Sequence, residues 1–227
     1  MSLFFFKVIY FMCYHTENPK LELIQEVFSQ FKLRNNSFYS GTINAFEMPL
    51  MPVLVWEEES QEVVIDSMQW GLIPDWAKNE NIAMKTLNAR SETIEKVASF
   101  KNYINQRMIF ITKGFYEWQW QDSKGKEKHK YYIHRKDSPL TLMAGLYNFS
   151  TKISENENST CTMITQDAKG IMEEIHNIKK RMPLFIMEDK IKDWLKNSMK
   201  INNFLQENSK YLNANKISSK QDQPRLF

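Results

Sequence analysis

Hydrophobic and polar residues follow one another along this chain in short blocks whose periods predict the secondary structure. Apolar residues at helical spacing predict helices over several segments. These segments are residues 19–33, 93–105, 167–175 and 188–199. Asn18-Pro19 stands at the start of the first segment, and a capping residue followed by proline at the first helical position favours a helix there.

Blocks rich in β-branched and aromatic residues predict strands between and after the helices. The predicted strands are residues 52–56, 63–70, 108–112, 115–120, 130–135, 140–147, 161–165 and 183–186. The sequence Asp-Ser-Pro at residues 137–139 predicts a hairpin turn. Strands cluster, helices intervene irregularly, and no repeat or long linker divides the chain. The pattern therefore predicts a single α+β domain with a mostly antiparallel, barrel-like sheet core flanked by helices.

The composition narrows the kinds of site that this domain can hold. Only 6 of the 227 residues are glycine, and no GxGxxG or GxxxxGKS/T sequence occurs, which argues against a glycine-rich phosphate loop. The 2 cysteines and 4 histidines include no CxxC or HExxH spacing, and His129 and His134 would lie on opposite faces of a strand. We therefore expect no metal site and no disulfide framework. The formal net charge of +3 permits nucleic-acid binding without requiring it.

The first twelve residues are apolar and aromatic, with Lys7 as their one charge. This run is too short for a membrane helix, which needs about 20 residues, and it lacks the basic region and cleavage site of a signal peptide. We interpret residues 1–12 as a leader, a mis-assigned start or a cloning remnant that precedes Cys13. Residues 13–207 are predicted to form the domain, and residues 208–227 a polar, frayed tail.

Single residues have ordinary structural explanations as well as functional ones. Each of Cys13 and Cys161 is more often a small buried hydrophobe than a reactive thiol. Trp70 would normally pack in the core, and the basic run at residues 179–181 would normally be a solvated surface. Glu117 lies in an aromatic strand, so it either faces solvent or is held there for a purpose. Periodicity alone leaves these alternatives open.

Short motifs occur along the chain in an order that points to a known family. They are Met12-Cys13, Trp70-Gly71-Leu72-Ile73-Pro74-Asp75-Trp76, Asn88-Ala89-Arg90-Ser91-Glu92-Thr93, Gly114-Phe115-Tyr116-Glu117-Trp118, Ala144-Gly145-Leu146-Tyr147, Ile175-His176 and Arg181-Met182-Pro183. Each motif is weak by itself, whereas the ordered set is specific. Over about residues 12–194 the series resembles the SOS-response-associated peptidase (SRAP) family, whose members shield abasic sites in single-stranded DNA.

The resemblance implies that Cys13 reacts covalently with DNA once it is the first residue. An α-amine has a pKa of about 7.7–8.0, against about 10.4 for lysine, so a sizeable fraction is a free nucleophile at neutral pH. The amine would attack the aldehyde of an opened abasic sugar to give an imine. The thiol of the same residue would then close a thiazolidine ring in an intramolecular step. Both groups are needed, so the reaction requires a free amino terminus at Cys13.

The resemblance also assigns roles to the residues around this cysteine. Asn88 resembles the asparagine that positions the cysteine and the sugar, and Arg90 resembles a phosphate-binding arginine, for which a guanidinium fork is suited. Glu117 resembles the family's acid and base for imine formation and sugar opening. His176 is similar to a second proton carrier near the same carbon.

Further positions resemble the family's contacts to DNA. Trp70, Gly71 and the loop after them resemble the element that meets unpaired bases, where aromatic stacking is worth about 1–3 kcal/mol per base. Arg181 resembles a phosphate contact.

Two departures from the family pattern affect these DNA contacts. Tyr14 and His15 stand where members commonly have Gly-Arg, so His15 or a lysine would have to replace that arginine. Members commonly have one residue between the histidine and Arg-Met-Pro, whereas here residues 177–180 intervene. We expect this loop to bulge, and Lys179 and Lys180 to take over some phosphate contact.

The resemblance thus implies an enzyme of the DNA damage response that crosslinks to abasic sites through Cys13, with autoprocessing peptidase and lyase-like activities as further expectations. Two other functions stay open: a thiol peptidase that cleaves its own leader, and a non-catalytic single-stranded DNA-binding module. No cofactor is expected, because imine and thiazolidine formation needs only proton transfers. The expected partner is single-stranded DNA with abasic sites, bound by a cytoplasmic monomer that needs no membrane and no obligate protein partner.

Overall fold

Strands form most of the fold in the computed structural model, which describes residues 14–149, 159–205 and 208–218. The strands are β1 (His15–Asn18), β2 (Lys32–Leu33), β3 (Gly41–Asn44), β4 (Leu50–Glu57), β5 (Glu62–Trp70), β6 (Asn88–Arg90), β7 (Arg107–Thr112), β8 (Gly114–Trp120), β9 (Lys128–Arg135), β10 (Thr141–Asn148), β11 (Thr160–Asp167), β12 (Arg181–Pro183) and β13 (Leu212–Ile217). The α-helices are α1 (Leu21–Val27), α2 (Ile171–Ile175) and α3 (Ile191–Leu195).

The strands are arranged in two sheets. The smaller sheet has the order β13-β9-β8-β1-β3 and is antiparallel throughout. The larger sheet has the order β12-β11-β10-β7-β4-β5-β2, with β6 attached to β11. Because β11 pairs with both β10 and β5, the strands from β10 through β7, β4 and β5 to β11 form a closed ring. The predicted α+β fold with a mostly antiparallel, barrel-like core is confirmed.

Both faces of the larger sheet are buried, because each face contacts a different hydrophobic cluster. Along β7, Ile109 and Ile111 belong to the cluster that includes Trp194 of α3, whereas Met108 and Phe110 belong to the other cluster. That second cluster also contains Phe115 and Ile133 from β8 and β9, so it lies between the two sheets. This double burial explains the continuous apolar sequence of the strand.

Helices are shorter than the apolar spacing predicted. α1 ends at Val27, and Lys32–Leu33 pair with β5 as a strand. Residues 93–105 form turns and one 3-10 helix, so the prediction of an α-helix there is wrong. Their apolar side chains, including Ile94 and Phe100, are buried in the core from a chain of turns. Among the residues that the structure describes, no helix is long and apolar enough to cross a membrane.

The prediction of fraying from residue 208 onward is wrong for β13. This strand adds to the edge of the smaller sheet with Leu212 opposite Arg135 and Ile217 opposite Lys130. Leu212 is buried in the cluster between the sheets, while Asn213 and Asn215 point away and make the segment look polar in sequence. Cross-strand pairing with β9 therefore orders a segment whose own composition predicts little structure.

Candidate active site

Cys13 lies outside the described residues, but the strand that follows it is well defined. β1 pairs with β8, with His15 opposite Tyr116. On its other side the backbone carbonyl of Tyr14 accepts a hydrogen bond of 2.8 Å from the amide of Ala45. These contacts place the beginning of β1 beside the segment of β8 that holds Glu117.

Glu117 is held inside the protein by the alternation of β8. Phe115 and Glu117 point to the buried side of this strand, where Phe115 packs on Phe185 at 5.9 Å, whereas Tyr116 and Trp118 point to the other side. Glu117 itself is only 3% exposed. Its carboxyl group is therefore enclosed on the buried side of β8 rather than on the solvent face, which decides between the two positions that periodicity left open.

His176 directly follows α2 and is also buried. Its Nδ1 lies 2.8 Å from the backbone carbonyl oxygen of Arg181 and 3.3 Å from the backbone amide nitrogen of the same residue, so the ring is held against the start of β12 whichever ring nitrogen carries the proton. The loop after α2 is tied to β8, because Asn177 accepts from the amide of Trp120 at 3.1 Å and donates to its carbonyl at 2.8 Å. β8 therefore supports both Glu117 and the segment that holds His176.

Asn88 and Arg90 project from β6, a short strand parallel to β11. Asn88 lies opposite Met163 and Arg90 opposite Thr165, while Ala89 between them is fully buried. Residues two apart share a face of a strand, so Asn88 and Arg90 face the same way. Asn88 is half-buried and Arg90 is exposed, which suits a positioning amide next to a solvent-facing phosphate contact.

Arg181 is not available as the predicted phosphate contact. Its side chain is 5% exposed, and its guanidinium donates to both carboxylate oxygens of Glu92, at 2.8 and 2.9 Å, to Asp167, and to the carbonyl of Thr165 at 2.8 Å. Burial acts to raise the pKa of Glu92, but hydrogen bonds from Arg181, from the backbone amide of Glu92 itself and from Ser91, together with the charge of Arg181, hold that pKa below its usual value. The prediction of a phosphate contact is therefore corrected: the hydrogen bonds of Arg181 connect β12 with β11 and with the segment after β6.

The prediction that Trp70 and Gly71 contact unpaired bases is also corrected, because both residues are buried. The Trp70 indole is fully buried, donates to the carbonyl of Leu87 at 2.8 Å and packs on Phe110 at 5.4 Å, so it offers no face to a base. Gly71 has φ of +117°, and a Cβ there would lie 2.8 Å from the Cβ of Ala83, so glycine is required sterically.

The loop after Gly71 nevertheless exposes an aromatic ring. Trp76 is 53% exposed, and its indole nitrogen donates to the carbonyl of Ala98 at 3.3 Å. The motif at residues 70–76 has a tryptophan at each end, and the sequence analysis assigned the contact with bases to Trp70 rather than to Trp76. The periodicity of the sequence does not show which of the two rings is exposed. Within the described part of the chain, no three His, Cys, Asp or Glu side chains are grouped as a metal site would require.

Comparison with models of protein families shows to which family the chain belongs. The family model described as SOS response associated peptidase (SRAP) matches residues 12–223. The chain belongs to the SRAP family. The match includes β13, in agreement with the pairing of that strand in the smaller sheet.

Curated relatives of the chain include a bacterial and a vertebrate protein. The chain is 39% identical over 132 residues to the abasic site processing protein YoqW of Bacillus subtilis, covering 58% of this chain and 57% of that protein. It is 32% identical over 163 residues to the abasic site processing protein HMCES of Xenopus tropicalis, covering 61% of this chain and 47% of that protein. The matched segment thus spans about half the length of these relatives.

Solved structures share the SRAP architecture. A protein from Bacteroides thetaiotaomicron superposes with a TM-score of 0.75 at 26% identity, covering 92% of this chain and 93% of its own. A protein from Bordetella bronchiseptica superposes with a TM-score of 0.73 at 20% identity, covering 91% of this chain and 100% of its own. The second likeness supports the fold alone.

The two departures from the SRAP pattern have distinct structural outcomes. In the loop after His176, Lys179 and Lys180 are exposed, and Lys180 adopts a left-handed conformation with φ of +47°. His15 is half-buried with its ring 5.0 Å from that of Trp118. Burial and then the charge of Lys130 lower the pKa of His15, against a smaller opposite effect of Glu47. A neutral His15 is a poor replacement for an arginine at a phosphate, whereas the two lysines remain candidates.

Proposed function

We propose that this protein captures abasic sites in single-stranded DNA by forming a covalent bond through Cys13. The observation that carries the proposal is that β8, which holds the buried Glu117, pairs with β1 at His15 and is hydrogen-bonded through Trp120 to Asn177, the residue after His176. The names of YoqW and HMCES, which describe abasic site processing, support it.

The proposed reaction balances without a cofactor. The α-amine of Cys13 attacks the aldehyde carbon of the opened sugar, and the resulting carbinolamine loses one water to give an imine. The thiol then adds to the imine carbon, its proton passes to the nitrogen, and a thiazolidine ring closes. Glu117 protonates the departing oxygen as water, and the imidazole of His176 accepts the proton released by the amine.

DNA in this proposal approaches the face that carries β6. Asn88 orients the opened sugar through its amide, and the exposed Arg90 binds a flanking phosphate in a charge-assisted contact. The half-exposed ring of Trp76 offers a stacking surface for a neighbouring base. Lys179 and Lys180 supply further positive charge next to His176. None of these contacts reads a base edge, which suits a protein that acts wherever damage occurs.

A free amine at Cys13 requires that the residues before it be absent. An amide nitrogen at Cys13 is not nucleophilic, so the thiazolidine reaction is open only to a chain that begins at Cys13. Self-cleavage is the second candidate function, and the pairing of β1 with the segment of β8 that holds Glu117 favours it over cleavage of other proteins. Intact mass of the purified protein and of Cys13→Ala distinguishes self-cleavage from every other way in which residues 1–12 could be missing. Only self-cleavage leaves these residues on the alanine variant alone.

Crosslinking to an oligonucleotide with one abasic site tests the proposal. A chain that begins at Cys13 should give a product that survives denaturing electrophoresis, and Cys13→Ala should give none. Cys161→Ala is the matched control, because that thiol is fully buried and burial raises its pKa well above the ordinary value, which leaves it unreactive. Equal crosslinking by Cys13→Ala and the wild type would refute the proposal.

A further inference from the structure

The outward side of β8 and β9 carries rings and ammonium groups in alternation. Strand register places Tyr132 opposite Tyr116, Lys130 opposite Trp118 and Lys128 opposite Trp120. All of these side chains point away from the buried side that holds Glu117. We call this surface the outer face, and it consists of Tyr116, Trp118, Trp120, Lys128, Lys130 and Tyr132.

The lysines of the outer face lie directly over its rings. The Nζ atom of Lys130 is 4.7 Å from the ring centre of Tyr116 and 5.8 Å from that of Trp118, and Nζ of Lys128 is 5.0 Å from that of Trp120. Such cation–π contacts hold positive charge against flat apolar surface. Charge and rings are therefore mixed within one patch rather than separated.

A basic groove of about 560 Å³ opens beside Trp118. Its described lining includes the side chains of Lys126, Lys128, Lys130 and Lys216, and no carboxylate is found among those described lining residues. Carboxylates occur elsewhere on this side of the sheet: Glu17 accepts a hydrogen bond of 3.0 Å from the hydroxyl of Tyr116, and the charge of Glu47 acts on His15. The groove is thus a concentrated positive site next to an aromatic ring.

Trp118 and Trp120 differ in how their rings are used by the fold. Gly125 has φ of +63°, and a Cβ there would lie 2.5 Å from the Trp120 ring, so the turn after β8 rests on this ring. Trp120 is therefore a support for the turn. Trp118 lines the groove, and His15 contacts its ring in an edge geometry, so Trp118 is the ring placed to meet a ligand.

We propose that the outer face binds undamaged single-stranded nucleic acid, with Trp118 stacking on a base and Lys126, Lys128 and Lys216 contacting phosphates. Sheets that present aromatic residues within a basic surface bind single strands by this combination of stacking and charge. An acidic peptide would satisfy the lysines but offers no regular series of planar rings. The inference goes beyond the proposed crosslinking, because it needs no abasic site and uses the opposite side of β8 from Glu117.

Fluorescence anisotropy with an undamaged oligothymidylate at several salt concentrations tests this proposal. Trp118→Ala should weaken binding at least about fivefold, the lower range for loss of one base stack, and Trp118→Phe should restore most of it. Replacing Lys126, Lys128 and Lys216 by glutamine should reduce the slope of log affinity against log salt by about 2, since each single-strand phosphate contact contributes about 0.7. Glutamine at Lys96, Lys101 and Lys192, which are exposed elsewhere, removes the same charge and should leave the slope unchanged.

Wild-type affinity and slope in both the Trp118→Ala and the triple glutamine variant, with folding verified by circular dichroism, would overturn the proposal. Polyglutamate binding that depends equally on Trp118 would also overturn it in favour of an acidic peptide. Crosslinking of an abasic oligonucleotide at saturating protein should be unchanged in these variants. A wild-type chain that never crosslinks but shows Trp118-dependent binding would refute the proposed function and leave the outer-face proposal supported.

Discussion

At the scale of single residues, two arginines beside β11 have opposite surroundings. The guanidinium of Arg181 is enclosed and bound to Glu92 and Asp167, so a phosphate would have to displace carboxylates that already satisfy it. Arg90 is exposed to solvent on a neighbouring strand. The cost of replacing bound water at Arg90 is far smaller than the cost of breaking a buried network. We therefore expect DNA affinity to depend on Arg90 and stability to depend on Arg181.

Paired alanine variants separate these two roles. Arg181→Ala should lower the free energy of unfolding by about 1–3 kcal/mol, because buried hydrogen bonds to a charged group are lost while the partner carboxylates remain partly solvated. Arg90→Ala should leave stability nearly unchanged and weaken binding to an abasic oligonucleotide. Urea unfolding and equilibrium binding measure both quantities. A folded Arg181→Ala protein that loses more DNA affinity than Arg90→Ala would contradict the assignment.

Glu117 is the residue whose replacement should affect chemistry most selectively. Glu117→Gln keeps the shape of the side chain but removes its ability to carry a proton, so single-turnover crosslinking should slow by about 10²–10⁴-fold. DNA affinity before reaction should be preserved, since Glu117 lies on the buried side of β8. Glu173→Gln, at an exposed position of α2, is the control for the loss of one carboxylate. An unaltered rate in Glu117→Gln would show that the proton moves by another route.

At the scale of elements, strands follow local sequence more closely than helices do. β7 is close to its predicted bounds because its apolar residues fill a cluster on each face, so nearly every position carries the signal. The segment 93–105 has helical spacing, yet Ile94 and Phe100 reach the core from turns. Spacing reports which side chains are buried, and several backbone paths can bury the same set.

In the candidate site, too, some features follow from the local sequence and others depend on residues that are far away in the chain. The ordered motifs single out Asn88, Glu117 and His176 as candidates, and their catalytic roles stay a prediction. The burial of Trp70 and the network of Arg181 depend on distant partners: Glu92 lies 89 residues before Arg181 in the chain. A basic residue next to a recognisable motif therefore looks the same in sequence whether it binds a phosphate or a carboxylate.

The loop after β5 provides a prediction at this scale. Gly71→Ala should destabilise the protein by more than Gly41→Ala, although both glycines have positive φ, at +117° and +102°. A Cβ at Gly41 would meet nothing within 4 Å, so that variant isolates the backbone cost of about 1 kcal/mol, whereas at Gly71 it would press on Ala83. Thermal unfolding measures the difference. Equal losses would show that the loop relaxes away from Ala83.

At the scale of the whole molecule, the smaller sheet connects the proposed chemistry with the proposed strand binding. The inward side of β8 holds Glu117 and is tied to the loop of His176, and its outward side carries Trp118 next to the basic groove. β1 joins the same sheet directly after Cys13. A strand of DNA that follows the protein surface from one side to the other would thus contact both regions on one rigid element.

The most direct test of the account is a comparison of two forms of the same chain. Full-length protein that retains residues 1–12 and protein that begins at Cys13 are each incubated with an abasic oligonucleotide, and the products are measured by intact mass. The form that begins at Cys13 should give an adduct whose mass is the sum of the reactants less one water, and the longer form should give none. A stable adduct of the same mass on a chain that still carries residues 1–12 would contradict the requirement for a free amine at Cys13.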